Sequence, residues 1–136
     1  MVRSLVKDRV FLSRKAVLAT AENLSVGEDL LDTLKAHREE CVGMAANMIG
    51  SEKRIIAFAD GDGFTVLYNP VIIKKAEPYE AEEGCLSLSG TRKTTRYKKI
   101  TVRYQNAKGE TKQRTFSDFP AEIVQHEIDH CEGILI

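Results

Sequence analysis

Hydrophobic residues recur at helical spacing along residues 25–43, SVGEDLLDTLKAHREECVG. Leu30, Leu31 and Leu34 fall on one side of such a helix, and two acidic residues occupy its first turn. The pattern predicts a helix over this segment, and Gly43 marks a break after it.

Apolar and β-branched runs replace the helical spacing in the middle of the chain. RIIAFAD (residues 54–60) and FTVLYNPVII (residues 64–73) predict two strands joined by a GDG turn. Pro70 predicts a bend or an edge position in the second strand. Residues 94–106 and 109–116 predict a further hairpin, with AKGE as its turn.

Helical spacing returns near the end of the chain, between Pro120 and Gly133, with Asp118 as the predicted cap. This helix carries two stripes, Phe119, Ile123, His126 and His130 on one side and Val124, Ile128, Cys131 and Leu135 on the other. One helix, several antiparallel strands and a final helix packed against them predict an α+β fold. The length favours a single domain over residues 1–136.

The composition is that of an ordinary globular protein, with 43% hydrophobic and 29% charged residues. Twenty basic and 20 acidic residues balance, so bulk charge indicates no nucleic-acid or membrane-surface partner. The one basic run, residues 91–99, is expected to be a solvated loop or strand edge. Because the first 20 residues hold no long apolar run, we expect a cytoplasmic protein with no membrane span.

The segment HEIDH, residues 126–130, is the strongest chemical signal in the chain. His126 and His130 are four residues apart, so both imidazoles lie on one helix face within reach of a single metal ion. Glu127 is placed to take a proton from a water that the ion activates. The alternative is a histidine pair bonded to carboxylates on a surface helix. The apolar continuation of the histidine stripe favours the metal site.

A catalytic metal site needs a third protein ligand, and nothing after the second histidine can supply it. Cys131 belongs to the core stripe, and Glu132 points to another side of the helix. The upstream candidates are His37, Cys41, Cys85 and several carboxylates. We favour Cys85, because the glycine beside it lets the backbone approach the ion closely.

Three segments together resemble the peptide deformylases. Those enzymes carry an EGCLS segment, a QHExDH helix and a GxGxAAxQ loop, and this chain has EGCLS (83–87), QHEIDH (125–130) and CVGMAANMIG (41–50) in the same order. The first two motifs are intact, and weaker similarity covers nearly the whole chain.

The resemblance implies a divalent iron held by Cys85, His126 and His130, which zinc, nickel or cobalt can replace. It implies that the substrate is the N-formyl group on the first methionine of a nascent chain, with the ribosome as a further candidate partner. Since the chain stops at Ile136, soon after the helix, it resembles a short form of the family.

The resemblance also implies roles around the ion. Glu127 is expected to pass its proton to the leaving amine, and the backbone N–H of Leu86 to point at the developing oxyanion. The expected peptide contacts are Val42, Phe119 and Ile123 for the methionine side chain, and the backbone near Gly43 and Gly84 for an added strand.

The first motif departs from the family pattern at two positions. Met48 stands where the family has a glutamine that donates to the oxyanion, and a thioether cannot donate a hydrogen bond. The neighbouring amide of Asn47 is expected to point the other way. Cys41 replaces a glycine and brings a second thiol toward the ion.

Two functional classes follow from these departures. The first is a working deformylase, slowed by Met48 by a factor on the order of 10² to 10³. The second is a deformylase-like protein that binds metal and peptide with little turnover. The intact Glu127 favours the first. A general zinc endopeptidase is a weaker third alternative, because the third ligand is expected upstream and is a cysteine.

Overall fold

One antiparallel sheet of five strands organises the protein, which a computed structural model describes over residues 1–136. The strands are β1 (Gly43–Ala45), β2 (Ile55–Asp60), β3 (Gly63–Cys85), β4 (Leu88–Gln105) and β5 (Thr111–Ser117), and they neighbour one another in chain order. Every neighbouring pair is antiparallel. The predicted α+β architecture with antiparallel strands is confirmed.

Three helices accompany the sheet, α1 (Arg9–Leu12), α2 (Leu24–Ala36) and α3 (Asp118–Cys131), with 3₁₀ turns at Ala21–Asn23 and Ala46–Ile49. No helix in the protein has the length and apolar character needed to cross a bilayer.

The first predicted helix is wrong at its C-terminal end. α2 stops at Ala36 instead of continuing to residue 43, and Gly43 begins β1, where it pairs with Phe58. The polar residues 37–40 that follow α2 have no apolar side chain to bury, whereas Gly43–Ala45 are buried against β2. Burial and ladder hydrogen bonds therefore outweigh the continued helical pattern.

The ends of α3 differ in how well the sequence predicted them. Gly133 follows the helix with a φ of 76°, as expected for a C-terminal glycine. The predicted cap at Asp118 is wrong. Asp118 is the first helical residue with a φ of 58°, Ser117 precedes it, and no side chain caps the helix.

The largest departure from expectation is the β3–β4 hairpin. β3 was predicted to end at residue 73, but it continues to Cys85, turns at Leu86 and Ser87, and returns as β4. The second half of β3 is mostly exposed, so it lacks the alternating burial from which strands are predicted. The basic run 91–99 lies in β4, and its residues before Lys99 pair with β3 alone, as expected for a strand edge, but Arg96 within the run is buried and not solvated.

Hydrophobic side chains fill both sides of the sheet at β2, whose residues alternate between two cores. Ile56 and Phe58 join the core under α3, and Ile55 and Ala57 join the core under α2. The predicted buried stripe of α3 is confirmed for Val124, Ile128 and Cys131 (Leu135 lies beyond the helix and is half-buried). α3 is thereby fixed against the sheet.

Candidate metal centre

The two histidines of HEIDH lie one turn apart on α3 and face each other. The Nε2 atoms of His126 and His130 are 3.1 Å apart, and their ring centroids are 4.8 Å apart. Both side chains are buried, His130 completely. A continuous helix from Pro120 to Cys131 holds them at this spacing, as the sequence predicted.

Cys85, at the end of β3, completes a cluster with the histidine pair. One ligand atom from each of Cys85, His126 and His130 lies within 4.8 Å of the other two. Of the other upstream candidates, His37 pairs with Glu40 at 3.2 Å away from the cluster. Cys41 lies at the wall of the cavity beside the cluster, but its thiol donates to the Gly43 carbonyl at 2.7 Å. The structure therefore brings together the three residues that the sequence favoured.

A network of charged side chains, most of them buried, fixes the orientation of His126. Its Nδ1 lies 2.8 Å from a Glu83 oxygen, and Arg96 donates to both Glu83 oxygens at 2.7 and 2.9 Å. Arg96 also donates to Asp129 at 2.6 Å. With Nδ1 engaged by the carboxylate, Nε2 is the nitrogen left for an ion, which is the usual arrangement of a metal-binding histidine.

The protonation of the histidine pair follows from these neighbours. Burial alone would lower the pKa of His126, but its hydrogen bonds with Cys85 and Glu83 outweigh burial and raise that pKa to about 10. Burial and the adjacent positive charge of His126 lower the pKa of His130 to about 3, which keeps it neutral. The two Nε2 atoms thus lie within hydrogen-bond distance of each other, at the place where an ion would bind both.

The donor set fits a transition metal. One sulfur and two imidazole nitrogens suit iron or zinc and do not suit magnesium or calcium, which prefer oxygen ligands. The Nδ1 of His130 and the Oε1 of Glu127 are buried without a hydrogen-bond partner. Unpaired buried polar atoms are costly, so their clustering here is typical of a functional site.

Glu127 lies beside the histidines and is 4% exposed. Burial raises the pKa of its carboxyl to about 7. Gly43 of β1 packs against it so closely that a Cβ at this position would lie 2.8 Å from Glu127 Oε2. A carboxyl with a pKa near neutrality, held without a partner, is suited to accept and release a proton.

A cavity of about 600 Å³ opens in front of this cluster. Eight further residues singled out in the sequence line it: Cys41, Val42, Gly43, Met48, Gly84, Leu86, Phe119 and Ile123. Phe119 and Val42 are the most exposed of these apolar side chains, at 58% and 41%, whereas Ile123 is buried. β1 pairs with β2 along one side only, so its other edge is free for a further strand.

Met48 and Cys41, the two residues of the first motif that differ from the family pattern, line the cavity, whereas the neighbouring Asn47 faces away from it. Met48 is 1% exposed and packs in the core under α2 while also lining the cavity. The amide of Asn47 donates to the carbonyl of His130 at 3.0 Å, behind α3, so it does not face the cavity. Burial, followed by the charge of Glu127, raises the pKa of Cys41 to about 12.

Sequence reasoning missed three residues that support the site, Glu83, Arg96 and Asp129. Two signals were available. Glu83 lies two residues before Cys85 on a strand, and residues two apart share a face. Asp129 lies three residues after His126 on a helix, which places them side by side. Arg96 carried no local signal, because its two partners meet it from β3 and α3.

A family model described as polypeptide deformylase matches residues 8–136. The chain belongs to the polypeptide deformylase family. A peptide deformylase of Clostridium beijerinckii is 51% identical over 136 residues, with both chains covered in full. A second relative, from Caldanaerobacter subterraneus, is 34% identical and covers 91% of this chain and 79% of its own.

Solved structures of the family agree with the fold. The class I type b peptide deformylase of Acinetobacter baumannii bound to Met-Ala-Ser has a TM-score of 0.87 and 30% identity, covering 99% of this chain and 97% of its own. The enzyme of Thermotoga maritima gives a TM-score of 0.86 at 31% identity, covering 99% and 95%. These likenesses confirm the resemblance and favour an enzyme over a peptide-binding relative without turnover.

Proposed function

We propose that this chain removes the N-formyl group from the first methionine of newly made polypeptides, using a divalent ion held by Cys85, His126 and His130. The observation that carries the proposal is the convergence of these three ligand atoms within 4.8 Å, beside the buried carboxyl of Glu127. The family to which the chain belongs supplies the reaction class.

The bound ion would activate a water molecule as nucleophile and polarise the formyl oxygen. We assign Fe²⁺ as the native ion, with Zn²⁺, Ni²⁺ or Co²⁺ as replacements, because the family resemblance implies it. Thiolate and imidazole ligands are compatible with each of these metals. Glu83 and Arg96 would keep the Nε2 of His126 aimed at the ion.

Glu127 acts as the proton carrier in this proposal. Its carboxylate takes the proton of the attacking water and passes it to the amine that leaves when the formamide C–N bond breaks. The burial of Glu127 and its unpaired Oε1 support this role, because no neighbour holds the carboxylate in another hydrogen bond.

The oxyanion that develops on the formyl group needs hydrogen-bond donors. The backbone N–H of Leu86, in the turn between β3 and β4, donates to no backbone carbonyl and is available for this purpose. Met48 offers no donor at the cavity wall. We therefore assign one protein donor to the oxyanion and expect a turnover lower by about 10² to 10³ than with a second donor.

The substrate fits the cavity as an added strand. The free edge of β1 at Gly43 and the end of β3 at Gly84 flank the opening, and both can pair with an extended peptide backbone. Val42, Phe119 and Ile123 form the slot for the methionine side chain. The Met-Ala-Ser peptide bound to the Acinetobacter baumannii relative supports this class of ligand.

We place this reaction in the cytoplasm, on formylmethionyl chains as they are synthesised, with the ribosome as a partner. The cavity needs only an accessible, formylated N-terminus on its substrate, so the proposal does not require that formylated peptides be confined to the cytoplasm.

Formate release from formyl-Met-Ala-Ser by protein purified anaerobically with iron tests the proposal. Glu127→Ala is expected to lose activity, and Glu39→Ala, an exposed glutamate without an ion pair, serves as the matched control. Met48→Gln is expected to raise turnover by about a hundredfold or more if its amide supplies the missing donor. Equal rates for the wild type and Glu127→Ala would contradict the catalytic role.

A further inference from the structure

The substrate cavity carries charge of one sign on its walls. Five of the 17 residues that line it are glutamates and none is a lysine or an arginine, although acidic and basic residues are equally numerous in the chain. Two of the five already have roles, since Glu83 is held by Arg96 and Glu127 is the proposed proton carrier. We call the other three the cavity glutamates, Glu40, Glu82 and Glu122.

The cavity glutamates come from three different segments that border the cavity. Glu40 lies just before β1, Glu82 lies near the end of β3, and Glu122 lies on α3. Glu122 is four residues before His126, so it lies about one helical turn from that metal ligand. A peptide added as a strand beside β1 would run between these segments, within reach of carboxylates on more than one side.

Glu122 is the most enclosed of the three, because its side chain is half-buried whereas the other two are exposed. Burial, followed by its hydrogen bond with Glu83 and the charge of that residue, raises the pKa of Glu122. The Tyr79 hydroxyl donates to Glu122 Oε1 at 3.2 Å, but no lysine or arginine forms an ion pair with it. A carboxylate in this position would be stabilised by a cation that a ligand brings into the cavity.

The two exposed cavity glutamates also lack a lysine or an arginine as partner. Glu40 pairs with the imidazole of His37 at 3.2 Å. Lys93 lies opposite Glu82 in the ladder between β3 and β4, but its ion pair, at 3.9 Å, is with Glu80. The negative charge at the opening is therefore not balanced by a lysine or an arginine of the chain itself.

Location distinguishes the cavity glutamates from other unpaired acids of the surface, such as Glu22 and Glu77. They line the same cavity as the three metal-ligand atoms, and that cavity is also lined by Glu127, whose Oε1 is buried without a hydrogen-bond partner. A peptide bound here would place its own side chains near three carboxylates and near no lysine or arginine of the cavity wall.

We propose that the cavity glutamates select formylated peptides that carry a lysine or an arginine at the second or third position. The inference rests on the proposed function for the peptide, and the charge of the cavity walls supplies the preference. An ion pair in a partly exposed site favours binding by a factor of about two to five. A glutamate at the same position would meet repulsion of similar size, so we expect the two side chains to differ by about tenfold.

Formate release by the iron-loaded protein tests the preference with two pairs of peptides. Formyl-Met-Lys-Ser is compared with formyl-Met-Glu-Ser for the second position, and formyl-Met-Ala-Lys with formyl-Met-Ala-Glu for the third. In at least one pair the lysine peptide should have a kcat/KM about tenfold higher at low salt, with most of the difference in KM. The ratio should fall below about threefold at about 1 M salt, where the Debye length is about 3 Å.

Two variants of equal charge assign the preference to the cavity. The cavity variant carries three substitutions, Glu40→Gln, Glu82→Gln and Glu122→Gln. The control variant removes the same charge from three exposed glutamates outside the cavity, Glu22→Gln, Glu39→Gln and Glu77→Gln. The ratio between lysine and glutamate peptides should fall to about twofold or less in the cavity variant and stay at the wild-type value in the control. The single variant Glu122→Gln should lower the ratio by about twofold or more, and it serves if the triple variant does not fold.

Three results would overturn the proposal: equal kcat/KM for lysine and glutamate peptides in the wild type, a lysine preference that the cavity variant retains, or the same loss of preference in the control. Each ratio is measured within one protein, so a change in overall activity does not alter the conclusion. Absence of formate release from every peptide, including formyl-Met-Ala-Ser, would instead contradict the function assigned to the metal centre.

Discussion

Gly43→Ala probes how tightly the proposed proton carrier is positioned. An added Cβ would lie 2.8 Å from both Glu127 Oε2 and Ile123 Cγ2, and 3.1 Å from Glu127 Cγ. Ordinary carbon contacts begin near 3.4 Å, so α3 or these two side chains must move by about 0.6 Å. Overpacking of this kind costs about 1–3 kcal/mol of stability.

The displacement should cost more in catalysis than in folding. A shift of about 1 Å in a catalytic group can lower turnover by about 10², so we expect kcat to fall ten- to a hundredfold while the protein remains folded. Formate release, iron content and the free energy of unfolding in urea would be measured on the same preparations.

Gly63→Ala is the matched control, because its Cβ would find its nearest neighbour, the Asp60 carbonyl, at 3.9 Å. It should keep wild-type kcat and stability. If Gly43→Ala retains wild-type kcat with its iron bound, then either Glu127 does not carry the proton or the packing around it is looser than described.

Three further changes test the surroundings of the site and the fold. Arg96→Met should cost about 3–5 kcal/mol in urea unfolding, because it removes the arginine that pairs with the buried carboxylate of Glu83 and with Asp129, and a loss below about 1 kcal/mol would contradict the buried ion pair. Hydrogen bonds from Arg114 lower the pKa of Asp60 from its ordinary value of 3.8 to about 2. The pair therefore stabilises the fold at pH values above 3.8 and loses its effect as the pH falls toward 2. The free energy of unfolding of the wild type should therefore exceed that of Asp60→Asn by about 1 kcal/mol near neutrality, after allowance for partial exposure. This difference should vanish near pH 2, as acid unfolding of both proteins would show. With its pKa raised to about 12, the thiol of Cys41 should react with iodoacetamide about a hundredfold or more slowly than free cysteine, as mass spectrometry of its peptide would show, and rapid labelling would contradict its burial.

The helix that carries the histidines could be predicted because its signals are local. Residue spacing on α3 fixes the distance between His126 and His130, and Pro120 and Gly133 mark its limits. The third ligand is different, since Cys85 meets α3 only through the path of β3. From the residues alone, the glycine beside Cys85 favoured it over His37 and Cys41, and the resemblance to a family then supported the same choice.

The long β3–β4 hairpin could not be predicted from burial patterns, because both of its faces are largely solvated beyond residue 73. Its strands are held by their ladder of backbone hydrogen bonds, which any sequence can form, and charged residues such as Glu80 and Lys93 pair across it. The same reasoning explains why Arg96 was missed. Its burial depends on two carboxylates that arrive from distant parts of the chain.

The three ligand atoms belong to two pieces of structure, the tip of a hairpin and the last helix, that no disulfide links. An ion bound between them would connect the two elements, and its binding energy would add to the free energy of unfolding. Supply of metal in the cell would then set the working lifetime of the polypeptide as well as its rate. Without its ion, the tip of the β3–β4 hairpin would lose this link to α3, and we expect a protease to cut it more readily.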